Sequence, residues 1–197
     1  MAQTSTTLIS SKSHIADKTG TIISFTKTGT EYKISSSDTG TINLGSYNQF
    51  DLVTVSGASN SGNNKTFTVK SVSSDNDYII VEEEVTNESA GQSITLDLTG
   101  FVSDKQKGDG YYSQPDGVHT VAYQYDTSVN AEASIRMQGS LATTPTEDDW
   151  FDISNTSPTP DQSTTIHSYN FTGNFVWVRA KITGMTAGSI TSILLNS

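Results

Sequence analysis

The sequence predicts an essentially all-β protein made of two sandwich-like or barrel-like domains of antiparallel strands. Three observations lead there. Thr, Val, Ile, Tyr and Phe recur in short alternating runs, the stretches between those runs are dense in Gly, Asn, Asp and Ser, and no segment sustains the three-and-four spacing of an amphipathic helix. Any helix should be a single short turn. Composition alone, with 33% hydrophobic residues and a mean hydropathy of -0.37, would also suit a disordered chain. The alternation argues for strands instead.

The first dozen residues are polar and do not alternate, so residues 1–14 are expected to form an arm. TIISFTK (21–27), EYKIS (31–35) and TINL (41–44) are weak strand candidates. FDLVTVSG (50–57), TFTVKSV (66–72), YIIVEEEV (78–85) and SITLDL (93–98) are stronger ones. ASNSGNNK and SSDND between them read as hairpin loops, since these residues tolerate positive φ or bond their own backbone. In YIIVEEEV, Ile79, Val81 and Val85 share one face, and the Glu run reads as a solvated strand end that discourages edge pairing.

All four prolines and both tryptophans lie after residue 110, and GFVSDKQKGDGYYSQPDG (100–117) is rich in turn formers. A boundary is placed there, giving an N-terminal β domain over 15–103 and a C-terminal β-sandwich over 104–197. In the latter, VHTVAYQY (118–125), ASIRMQGS (133–140), WFDI (150–153), TTIHSYNF (164–171), NFVWVRAKI (174–182) and SITSILLN (189–196) are the strand candidates.

Charge and composition narrow the function classes. A net charge of -10, with only 11 scattered Lys and Arg, opposes nucleic-acid binding, which needs clustered cations. No window approaches a membrane span and no secretory signal is expected. The absence of cysteine excludes disulfides, thiolate metal sites and cysteine nucleophiles, and fits assembly in a reducing cytoplasm.

The search for chemistry turns up no catalytic motif. His14, His119 and His167 each lack a second histidine three or four residues away, so they read as ordinary strand positions and no metal site is assigned. SDND (74–77) and TEDD (146–149) offer oxygen ligands but match no calcium loop, and turns are the simpler reading. Asp148 and Asp149 are adjacent, so in extended chain they diverge and cannot flank a glycosidic bond, which needs carboxylates about 5–9 Å apart. The acids of TEDD are read as a solvated turn and Trp150 as an anchor beside the core. No cofactor is implied.

One strand carries the candidate site. In NFVWVRAKI, Val176, Val178, Ala180 and Ile182 make a core face, while Phe175, Trp177, Arg179 and Lys181 make the opposite one. Trp beside Arg is a favoured composition for contact hot spots. Three readings stay open for this face: burial under a loop, with Arg179 stacked over Trp177; a subunit contact; and a sugar-stacking platform.

The run GDGYYSQPDGVHTVAYQY, then SIRMQGSLATTPTEDDWFDI, then YNFTGNFVWVRAKITGMTAGSITSILLN resembles a β-sandwich module of virion proteins of tailed phages, especially phages of marine cyanobacteria. The segment FDLVTVSGASNSGNNKTFTVKSVSSDNDYIIVEEEVTNESAGQSITL also resembles a recurrent phage structural module. The two resemblances lie between Phe50 and Asn196. The resemblance implies a non-enzymatic structural protein of the virion, assembled in the host bacterial cytoplasm. The expected role is capsid decoration or cement, docking on the major capsid protein as a homo-oligomer. The alternative is a tail or tail-fibre component whose C-terminal sandwich binds a host surface glycan.

Overall fold

The structure is a computed structural model that describes residues 5–112, 117–130, 132–160 and 163–196. The fold is all-β and its sheets are antiparallel. Among the described residues, helix is confined to four 3-10 turns of three or four residues, and no helix is long and apolar enough to cross a membrane. The chain divides into two units: Ile15–Gly100, and the residues up to His14 together with those from Phe101 onward.

The first strands are β1 (Ser5–Ile9) and β2 (Lys12–Ser13). They are followed by β3 (Lys18–Gly20), β4 (Ile23–Thr28), β5 (Glu31–Ser36), β6 (Asp51–Ser56), β7 (Thr66–Val72), β8 (Tyr78–Val81) and β9 (Ile94–Val102). The rest are β10 (Gln106–Lys107), β11 (Val118–Tyr125), β12 (Ser134–Ser140), β13 (Phe151–Asp152), β14 (His167–Thr172), β15 (Trp177–Thr183) and β16 (Ser189–Asn196).

In the unit Ile15–Gly100 the ladder of pairings returns on itself. β4 pairs β5, β5 pairs β8, β8 pairs β7, β7 pairs β6, and β6 lies beside β9. β9 then pairs β3, which leads back into β4. The seam is completed outside the strands: Gly91 N–H donates to the Thr21 carbonyl at 2.8 Å, and Phe25 and Glu88 exchange bonds of 2.9 and 3.0 Å. The result is a small closed barrel, and closure removes the open edges that invite aggregation. Its interior takes inward residues of β4 to β9, among them Ile23, Phe25, Ile34, Val53, Phe67, Val69, Ile79 and Leu96.

Side chains stand in for backbone where pairing fails. β8 stops at Val81, short of the expected 85, and the Glu83 carboxylate accepts from Thr68 N–H at 2.6 Å and from its hydroxyl at 2.8 Å. Glu83 is thus part of the ladder's end and not merely solvated. Fully buried Asn63 does the same for Thr86, accepting from its N–H and donating to its carbonyl, both at 2.9 Å. Asn63 also donates to Glu88, whose carboxylate accepts from the N–H groups of Ser59 and Asn60. The expected strand TINL is instead a turn and a 3-10 segment. Asp38 binds Gly40 N–H and the Thr41 hydroxyl, and Asn43 caps Gly45, so local side-chain bonds replace a ladder.

The other unit holds two sheets. One has the order β1, β16, β11, β14, with β2 also on β16; the other runs β13, β12, β15, with β10 on the far side of β15. Val121, Tyr123 and Tyr125 of β11 and Ile190, Ile193 and Leu195 of β16 are buried. So are Ile135 and Met137 of β12 and Val178, Ala180 and Ile182 of β15.

The expected arm is corrected here. Residues 1–4 lie outside the described residues, but from Ser5 the chain pairs with β16, Ser5 opposite Asn196 and Ile9 opposite Ile193. It lacks alternation because it is an edge strand that sinks only Ile9 fully into the core. The division of the chain falls at Gly100, inside β9, and not at 103. Phe101 and Val102 are already buried, and the turn formers after them belong to the second unit.

The barrel's polar bridge gives a prediction. Asn63→Ala leaves the Thr86 N–H and carbonyl without their partner, and the midpoint of urea unfolding should fall by the equivalent of about 1–3 kcal/mol. Glu88→Ala should cost a similar amount, and the double variant less than the sum, because both serve one network.

Candidate functional site

The outer face of the sheet formed by β13, β12, β15 and β10 carries the site. Register places Arg136 opposite Lys181, Gln138 opposite Arg179, and Ser140 opposite Trp177. On the other side of β15, Lys107 is opposite Trp177. Alternation then sets these side chains on the face turned away from Ile135, Met137, Val178 and Ala180.

Three of the four expected residues share this face, and one does not. Phe175 precedes β15, which begins at Trp177, and escapes strand alternation. Its ring turns inward to Phe171 and Phe151, with centroids 6.1 and 6.0 Å away. Gly139 makes the room, since a Cβ there would stand 2.6 Å from the Phe175 ring. Phe175 is therefore a core residue.

Arg179 is the centre of one half of the face. It is 4% exposed, so its charge must be satisfied by protein. Nη1 and Nη2 donate to the Glu147 carboxylate at 2.6 and 2.8 Å, and Nε donates to Gln138 Oε1 at 3.0 Å. Gln138 in turn donates to Asp152 at 2.9 Å, and Asp152 pairs with Arg136. The guanidinium lies over the Trp150 ring at 4.1 Å. The cation-π partner is thus Trp150 and not Trp177.

The TEDDW segment consequently does more than turn in solvent. The backbone N–H and hydroxyl of Thr146 donate to Asp149 at 2.7 and 2.8 Å, closing the 3-10 turn Glu147–Asp149 and aiming Glu147 and Trp150 at Arg179. Burial pushes the Glu147 carboxyl up, but the hydrogen bonds and charge of Arg179, with Lys181 nearby, outweigh it and hold the group below the ordinary range. Burial likewise raises Asp152, and Gln138 and Arg136 bring it below its usual value.

The other half of the face is open. Trp177 is half-buried and its indole N–H donates to the Thr143 carbonyl at 3.1 Å. Tyr111 meets Trp177 edge-on at 5.0 Å, and Tyr112 meets Tyr111 at 5.2 Å. Lys105 sits 4.8 Å over the Trp177 ring and Lys107 4.1 Å over the Tyr111 ring. Among the described residues, neither lysine has a carboxylate within ion-pair distance. In a chain of net charge -10, this is a local cationic and aromatic strip.

Lys105, Lys107, Tyr111 and Tyr112 were not singled out in the sequence. Their signal was the K-x-K spacing, which puts both lysines on one side of an extended segment, followed closely by a Tyr pair. Lys181 lies half-buried opposite Arg136, with Asp152 and Glu147 balancing the two cations.

Compared with protein-family models, with curated proteins and with solved structures, the chain matches none. The geometry is therefore what a functional reading rests on. It offers a rigid charged clamp around Arg179 beside an open strip suited to contact with an anionic surface.

The clamp predicts a pH dependence. Glu147 is depressed in the folded state, so its contribution is present above the ordinary Glu value and lost as pH falls through the folded one. Glu147→Gln should lower stability at pH 7 by about 1–2 kcal/mol, discounted for the carboxylate's partial exposure. Melting of both proteins from pH 7 to pH 3 should show the gap closing towards the acid end.

Proposed function

We propose that this chain is a non-enzymatic structural protein of a tailed-phage virion, most simply a decoration or cement protein that docks on the major capsid protein and works as a homo-oligomer. The observation that carries the docking reading is the strip of Tyr112, Tyr111, Trp177, Lys105 and Lys107. Tyr and Trp offer large contact area at low entropy cost, and they mark the centres of interfaces. The two lysines add a requirement that the partner present carboxylates, because charge complementarity steers encounter and rejects wrong partners. The neighbouring clamp holds Trp177's strand rigid, which lowers the entropy lost on docking.

The second reading, a tail or fibre component binding a host glycan, is favoured by Tyr111 and Tyr112, which are 43% and 56% exposed. Against it, Lys107 already covers the Tyr111 ring and Lys105 the Trp177 ring, which leaves less free ring face for sugar stacking.

The test is binding of the purified full chain to phage heads assembled without it. Lys105→Glu with Lys107→Glu should weaken binding by about ten- to a hundred-fold, and Trp177→Ala should weaken it comparably, while the melting temperature of the charge-reversed protein stays close to wild type. Undiminished binding by the charge-reversed protein overturns the docking face. Binding to an acidic glycan array, with none to heads, selects the second reading.

A further inference from the structure

We propose that the sheet β1–β16–β11–β14 continues across two copies of this chain, with β14 pairing antiparallel to β14 of a second copy. This deepens the homo-oligomer reading given above, and it does not involve the docking face. The starting observation is a contrast among the sheet ends. The barrel has none, because its ladder closes. The sheet carrying the docking face ends, on the side of β12, in the two-residue strand β13, and its β10 is equally short. β1 is interrupted by an irregularity between Thr7 and Ile9. Short strands and bulges are the ordinary ways of blunting an edge.

β14 has no such protection. It holds six consecutive residues in unbroken register with β11, from Val118 opposite Thr172 to Tyr123 opposite His167. Among the described residues, no strand pairs its other side. The sequence HSYNFT contains no Lys, Arg, Asp, Glu or Pro, and Ile166 just before it is 60% exposed. A six-residue edge in unbroken register and without Lys, Arg, Asp, Glu or Pro presents backbone donors and acceptors to a partner strand.

A second copy of the same strand fits that edge. Side chains in a pair must agree in face, so the two-fold axis has to pass midway between the two copies of one residue, which sets that residue opposite itself. Centred on Tyr169, it sets His167 opposite Phe171 and Ser168 opposite Asn170. The half-buried or buried side chains of His167, Tyr169 and Phe171 then continue one aromatic row, and the exposed Ser168, Asn170 and Thr172 continue the outer face. Ile166 comes to lie opposite Thr172 and loses exposure. Charge permits this pairing: two copies of a chain carrying -10 repel each other, and HSYNFT sets no Asp, Glu, Lys or Arg of one copy against another in the paired strands.

The full chain, measured by analytical ultracentrifugation over a wide concentration range, is expected to be a dimer. Ser168→Lys with Asn170→Lys sets lysine against lysine across the axis and should raise the dimer dissociation constant at least about ten-fold. Because the chain has no cysteine, Ser168→Cys and Asn170→Cys proteins mixed and oxidised give a second reading that needs only small changes. A disulfide-linked dimer is expected, in the mixture for the register centred on Tyr169 and in a single pool for a neighbouring register. A wild-type monomer at all concentrations, a lysine variant that dimerises like wild type, or no linked dimer in any pool overturns the proposal. Loss of the dimer with head binding intact would leave the docking face untouched, and the converse holds for the Lys105 and Lys107 reversals.

Discussion

The constraint on which everything else depends is that an all-β chain must find a partner for every backbone N–H and carbonyl between strands, and strands run out at edges. With only a third of its residues hydrophobic, this chain cannot compensate for unpaired backbone with a large core. Its architecture can be followed as a set of answers to that problem. The unit Ile15–Gly100 closes its ladder into a barrel. Where the ladder cannot close, Asn63 and Glu83 supply side-chain atoms in place of backbone ones. In the other unit the chain's own beginning is laid against its end, β1 on β16.

The same constraint shapes the candidate site. β15 is a central strand, paired with β12 along its length and with β10 at Trp177 and Val178, so its outer face is a stable platform. Arg179 could be a liability there, since a buried guanidinium without partners costs several kcal/mol, on the order of the whole stability of a domain. Glu147, Gln138 and Trp150 remove the liability and fix the loop that carries them. What remains open is the strip on the other side of Trp177, where the lysines are held by rings and not by carboxylates. Lysines without an ion-pair partner among the described residues, set beside exposed rings on an acidic protein, are a feature that a partner can complete.

Much of the fold was legible because its strands announce themselves locally. VHTVAYQY alternates cleanly, TFTVKSV and SITSILLN are rich in β-branched residues between turn formers, and all three appear as β11, β7 and β16 with the expected ends. What was not legible depends on distance along the chain. Nothing near Ser5 says that its partner is Asn196, and a lone buried Ile9 makes no alternation. Glu147 and Arg179 are 32 residues apart, so TEDD read in isolation is only a turn. Alternation does not hold for Phe175, because it precedes the start of β15 and Gly139 opens a hole for its ring on the core side. Lys105 and Lys107 lie in a stretch whose turn formers read as a boundary, which masks their spacing.

The central claim is that the face around Trp177 is a contact surface in an assembled particle. A reconstruction of the virion at a resolution that places β-sheets measures this most directly. The account predicts this chain on the particle with Tyr111, Tyr112, Trp177 and the two lysines against an acidic surface of a neighbouring protein. That face pointing into solvent at every copy, or the chain missing from the particle, would contradict it.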